Sequence, residues 1–209
     1  TSAFAGISAL LLHPLPFKNL DRIVVIWETS AKLRQQRSAV SPANFIDWRD
    51  QNTVFEQIAA YRSWSVNLTG VGLPERLQGF LVSPSFFPLV GVSPSLGRVF
   101  SPDEEQPGHH QVVVLSHGLW QRSFGGNPNV VGARATLDGR TFTVVGVMSP
   151  DFDFPLGTDL WAPLALSGEE RSERGAHLLS VVARLRPEVS LSRAHAEMSA
   201  VAGRLERQY

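Results

Sequence analysis

The sequence predicts an α+β fold, and three stretches carry that expectation. Val112-Val113-Val114-Leu115 is an apolar, β-branched strand that runs straight into Ser116-His117 and a Trp-bearing helix stopped at Gly125-Gly126. Asp138-Gly139 lies between the alternating segments 135–137 and 141–147 and supplies the positive backbone angles of a type I′ hairpin. Behind Ser190, which caps it, residues 191–208 put Ala194, Met198, Val201 and Leu205 on one side of an amphipathic helix.

Composition narrows the function classes. With 209 residues, 43% of them apolar, the chain can bury a core as one domain or two small ones, which excludes whole-chain disorder. Lys plus Arg balance Asp plus Glu at 19 each, so no net field draws the chain to nucleic acid or to an anionic membrane surface. The absence of cysteine removes disulfides, thiolate nucleophiles and Cys-type zinc sites. There is no Gly-x-x-x-x-Gly-Lys-Ser/Thr loop for a nucleotide.

The chain opens in mid-pattern with the apolar run from Ala3 to Leu12, and it ends abruptly at Tyr209, so it reads as part of something longer. That run is about half of the roughly 20 residues that a membrane-spanning helix needs. It reads either as a short amphipathic or core helix, or as the outer end of a truncated transmembrane helix leaving the bilayer at His13-Pro14-Leu15-Pro16-Phe17. Residues 23–28 follow as a strand and 32–37 as a basic loop. Ser41-Pro42 is an N-cap with proline in the first turn, opening a helix over 43–51 with Phe45 and Trp48 on one face. After a break at Asn52-Thr53, residues 55–61 are expected to continue as helix. Residues 63–69 and 75–82 alternate and form an antiparallel pair around the turn 70–74. Ser83-Pro84 repeats the capping device before a short helix that Gly91 ends, a hint of a repeated strand and helix unit.

The stretch 94–108 is rich in Pro, Gly and acid, and a subdomain boundary is placed near it. After the central strand and helix, Asn127-Pro128 turns the chain toward the Asp-Gly hairpin. Residues 151–155 and 158–164 read as loops with anchoring aromatics, and 167–175 as a charged, exposed segment. A strand over 178–185 stops at Arg186-Pro187 before the final helix.

Several side chains invite a chemical reading. His109-His110 near Asp103, Glu104 and Glu105 has metal-ligand chemistry, but adjacent histidines point apart on most backbones, and a solvated loop is the simpler reading. Ser116 beside His117 lacks the elbow that exposes a nucleophile and reads as a helix cap. Asp151 and Asp153 alternate with Phe152 and Phe154, as in a half-buried extended segment rather than an acid-base pair. Trp48, Trp64, Trp120 and Trp161 read as core anchors rather than a sugar platform. No residue is assigned a catalytic, cofactor-binding or metal-ligating role. If a surface binds a substrate or partner, the loops at 32–37 and 102–110 are the candidates.

The strand, Ser-His start, Trp120-bearing helix, Phe124-Gly125 turn and Asp138-Gly139 hairpin, in this order, resemble the periplasmic core domain of MacB-like ABC transporter permeases. Leu10-Leu11-Leu12-His13-Pro14-Leu15-Pro16-Phe17, Asp47-Trp48-Arg49, Ala59-Ala60-Tyr61, Val82-Ser83-Pro84-Ser85-Phe86-Phe87 and Leu96-Gly97-Arg98-Val99-Phe100 extend the likeness over nearly the whole chain. It is nearest to the unpaired permeases of the acidobacterial duplicated type. Pro187-Glu188-Val189 departs from the pattern, which usually has Gly after Pro, so the turn there is expected to be looser or differently shaped.

The resemblance implies a two-lobed extracytoplasmic domain of a bacterial inner-membrane permease, lying between its first two transmembrane helices. Residues 1–19 would be the helix end and linker, 20–95 with 170–209 a porter-like lobe, and 96–169 an inserted, smaller lobe. It implies no enzymatic activity and no cofactor. The domain would pass movement driven by cytoplasmic ATP hydrolysis to the periplasmic side, for export or for handling lipoproteins or peptides. The implied partners are a cytoplasmic ATP-binding subunit, a periplasmic adaptor or lipoprotein, the membrane through flanking helices, and a second copy in a full-length dimer, but no nucleic acid. The competing readings are a free-standing adaptor for peptides or lipoproteins and a hydrolase using Ser116, His117 and a carboxylate.

Overall fold

A computed structural model of the chain describes residues 3–9, 20–30 and 35–208, and it opens on a strand where the sequence predicts helix. β1 (Ala3–Ala9) runs antiparallel to β2 (Ile23–Ser30), from Ala3 opposite Ser30 to Ala9 opposite Val24. The ladder of the β-branched β2 offers this short run hydrogen-bond partners along one edge, and that outweighs the modest helix propensity of a segment containing Gly6, Ile7 and Ser8. The expected exit at residues 13–17 lies outside the described residues, as do 32–34 of the basic loop and Tyr209.

Part of that basic loop, expected at 32–37, is also a strand, β3 (Gln35–Ser38), paired antiparallel to β2. α1 (Pro42–Gln51) begins as expected with proline in its first turn and buries Phe45 and Trp48. The expected helix over 55–61 is instead the start of β4 (Phe55–Thr69). Ile58, Ala59 and Ala60 are all buried there, so the alternation that announces a strand is lost.

β4 contributes to both of the compact units into which the chain divides, with the change falling between Ala60 and Tyr61. Among the described residues the second unit takes 61–165, and the first takes 3–9, 20–30, 35–60 and 166–208. In the second unit β4 pairs antiparallel with β5 (Glu75–Val82) around the expected turn. α2 (Phe86–Val90) starts later than Ser83-Pro84 suggests: Ser85 is its N-cap, and Ser83 instead closes a turn by accepting from the Phe86 amide. Gly91 ends it at φ 75°.

The Pro-, Gly- and acid-rich stretch 94–108 lies within this second unit. It carries β6 (Leu96–Gly97) and a 3-10 turn at Pro102–Glu105. β7 (Val112–Leu115) and α3 (His117–Phe124) follow as expected, with Ser116 as N-cap. β8 (Arg134–Leu137) and β9 (Arg140–Val147) form the expected hairpin, with Asp138 at φ 45° and Gly139 at φ 76°. The segment expected as an aromatic-anchored loop at 158–164 contains a central strand, β10 (Leu160–Pro163), parallel to β5 and antiparallel to β7. All four of its residues are buried, a continuous apolar run too short to separate from a loop by pattern. Val66, Leu68, Leu77, Val113, Leu115, Leu119, Phe142, Val144 and Leu160 share this unit's core.

The chain then returns to the first unit through α4 (Gly168–Ser172), which the sequence reads only as exposed, and β11 (Ser180–Leu185). β11 lies between β2 and β4 in the first unit's sheet, antiparallel to β2. α5 (Leu191–Gln208) buries the predicted Ala194, Met198, Val201 and Leu205, together with Ala202. Its Glu197 accepts from the Thr53 hydroxyl at 2.8 Å, tying the helix to the corner between α1 and β4.

Candidate functional site

The first unit carries a buried carboxylate. Glu28 ends the apolar run of β2 at 1% exposure, where an unmatched charge costs on the order of several kcal/mol. Its Oε1 accepts from the Ser41 amide at 2.9 Å, from the Ser41 hydroxyl at 3.2 Å and from Asn44 Nδ2 at 2.8 Å. Ser41 therefore spends its side chain on Glu28 rather than on the cap expected of it. The Nδ1 atom of His177 lies 2.8 Å from Glu28 Oε2 and 3.2 Å from the Ala39 carbonyl. Glu28 Oε2 itself is buried and accepts no hydrogen bond among the described residues. Arg174 extends the network, donating to Asn44 Oδ1 at 2.6 Å and to Asp47 Oδ2 at 2.7 Å. The sequence reading names none of these groups as a site; the signal it had was one carboxylate closing an otherwise apolar strand.

In the second unit, Arg122 of α3 donates to Glu75 at 2.8 Å and to Asp159 at 2.7 Å, and the Gln78 amide also donates to Asp159. Burial acts to lower the Arg122 pKa, but the hydrogen bonds to Asp159 and Glu75 outweigh it and raise it. Arg98 holds Glu104 through two hydrogen bonds, at 2.9 and 2.7 Å, and the Ser101 amide adds a third at 2.8 Å. Burial works to raise the Glu104 pKa, yet Arg98 and the Ser101 amide together hold it below its ordinary value. In the first unit burial lowers the Arg184 pKa, reinforced by Arg22 and offset in part by Glu56 and Asp21.

These contacts settle where the residues singled out from the sequence lie. Glu104 is buried and closes a capping box with Ser101, while the imidazole of His110 accepts from the Gly108 amide. No cluster of metal-ligating side chains is found among the described residues. Ser116 Oγ accepts from the Leu119 amide at 3.1 Å, the N-cap bond expected of it. The ring of His117 packs edge-on against Trp120 at 5.2 Å, and its Nδ1 is buried with no hydrogen-bond partner among the described residues. A base oriented by a carboxylate is thus not formed there. Asp153 accepts from the Gly157 and Thr158 amides, which makes it a turn residue.

The aromatic residues are anchors. Phe154 stacks on Phe86 at 5.7 Å, Phe152 and Phe87 meet Trp161 at 5.3 and 5.7 Å, and Trp161 Nε1 donates to the Phe154 carbonyl. Trp48 and Trp161 are fully buried, Trp64 packs on Phe142, and Trp120 Nε1 donates to the Asn127 carbonyl at 2.9 Å. Trp64 and Trp120 are half-buried, so the four do not form one exposed platform. No described helix is long and apolar enough to cross a membrane.

Comparison with solved structures places the fold beside two transporter domains. The periplasmic region of MacB from Actinobacillus actinomycetemcomitans aligns with a TM-score of 0.66 at 16% identity, covering 89% of this chain and 85% of that one. The extracellular domain of the noncanonic ABC-type transporter YknZ from Gram-positive bacteria aligns with a TM-score of 0.63 at 14% identity, covering 89% and 93%. Identities this low establish a shared fold. Comparison with curated proteins gives no match. The model of the MacB-like periplasmic core domain matches residues 2–201, so a likeness first carried by the Val112–Phe124 stretch and the Asp138-Gly139 hairpin extends over nearly the full length, and the chain belongs to that family.

Proposed function

We propose that this domain is a non-enzymatic lever of an ABC permease in the bacterial inner membrane. It takes movement driven by ATP hydrolysis in a cytoplasmic ATP-binding subunit and delivers it on the outer side, for export or for the handling of lipoproteins or peptides. The observation that carries this reading is the family match across residues 2–201. It is supported by the use made of the reactive side chains: Ser116 caps α3, Glu104 closes a capping box, and Asp153 shapes a turn. Each is committed to holding the frame rather than to a substrate.

The motif likeness favours the unpaired permeases of the acidobacterial duplicated type, anchored by flanking helices and working as a dimer with a periplasmic adaptor or lipoprotein. A porter-like lobe and an inserted lobe are its moving parts. The test is a cysteine pair that locks the lobes in the full-length permease. Transport stops under oxidising conditions and returns on reduction, while the ATP-binding subunit binds nucleotide as before. Transport that continues with the lock closed rules the lever out.

A further inference from the structure

Leu166 and Leu179 are buried at 2% and 0% exposure, and not one residue from 167 to 178 between them is buried. This is the stretch by which the chain comes back from the second unit to β11. Its fastenings to the first unit are polar. The Glu173 carbonyl accepts from the Ala43 amide at 3.1 Å, Arg174 holds Asn44 and Asp47, and His177 faces Glu28 and the Ala39 carbonyl. Resistance to local opening grows with the apolar area that must be exposed, and a segment with no buried side chain has little of it.

The groups left behind tolerate the loss. If the segment lifts, Glu28 Oε2, within ion-pair distance of His177 but accepting no hydrogen bond among the described residues, opens to water, while Oε1 keeps its bonds from Ser41 and Asn44. The segment is also held together internally: Ser167 and Glu170 close a capping box around α4, and Glu173 Oε1 accepts from the Gly175 amide. It is therefore built to move as a piece.

We infer that residues 167–178 form a releasable clasp, closed on Glu28, Asn44 and Asp47, which opens about Leu166 and Leu179 while the rest of the unit stays folded. Its consequence, though not its existence, rests on the lever reading: a displacement passed along the chain into β11 goes through this segment.

The test is amide hydrogen exchange on the 209-residue chain. Arg174→Glu and, separately, His177→Ala speed exchange about tenfold or more at the Ala43 amide, whose bond to the Glu173 carbonyl crosses the clasp, leaving β4 and α5 unchanged. Asp47→Arg combined with Arg174→Glu restores the protection by reversing the ion pair. Exchange unchanged at the Ala43 amide, or raised by the same factor throughout β4, β11 and α5, overturns the clasp. Transport by the full-length permease carrying Arg174→Glu is read separately. Unaltered transport beside locally raised exchange overturns the lever reading and leaves the clasp standing.

Discussion

Glu188 holds φ at 69°, in the left-handed region, at the place where the family pattern has glycine. The turn between β11 and α5 thus keeps a backbone that glycine favours and bears the steric cost of a Cβ, about 1–2 kcal/mol. Glycine gives back about half of that, because its freer unfolded chain loses more entropy on folding. Glu188→Gly is therefore expected to raise stability by about 0.5–1 kcal/mol, seen as a higher urea midpoint with an unchanged slope. The opposite holds at Gly146, where β9 passes so close to the backbone of Arg98 that a Cβ would overlap the Arg98 carbonyl oxygen. Gly146→Ala is expected to cost about 1–3 kcal/mol in the same measurement, because backbone rather than a flexible side chain must give way.

At the scale of elements, caps decide where short helices start. α3 spans eight residues, too few to persist without help, and the Ser116 hydroxyl satisfies one of its open amides. Ser116→Ala should cost about 1 kcal/mol in thermal or urea unfolding. The 3-10 turn at Pro102–Glu105 is held through Glu104, whose pKa is depressed in the fold. A depressed carboxyl stabilises the fold above its unfolded value, near 4.5, and that contribution fades as pH falls through the lower folded value. Glu104→Gln should thus be less stable than the parent at neutral pH, with the gap narrowing on acidification, as urea midpoints across that range will show. The elements legible from sequence were those with a local cause: the Asp138-Gly139 hairpin, the Ser116 cap and the period of α5. β10 and the first half of β4 were not, because burial on every side erases alternation, and β1 was not, because its partner ladder lies elsewhere in the chain. Of the Glu28 network only the odd carboxylate was visible, since Arg174 and His177 join it from about 130 to 150 residues downstream in a pairing set by the fold.

At the scale of the molecule, β4 gives residues to both units, so damage to it is shared. Ala60, fully buried in that strand just before the change of unit, is a sharp place to test this. Ala60→Pro removes a ladder donor and should cost about 3 kcal/mol or more. The expected outcome is that near-ultraviolet signals from Trp48 in one unit and Trp161 in the other both weaken or melt earlier, whereas a change confined to one of them would show that the strand is not shared in energy. The placing of β10 has a consequence for biogenesis. It is the last strand of the second unit in sequence, yet it fills the slot between β5 and β7. A nascent chain must leave that slot vacant, with two unpaired strand edges, until some eighty residues after β5 have emerged, so this unit completes only with its last strand and needs protection during synthesis and secretion until then.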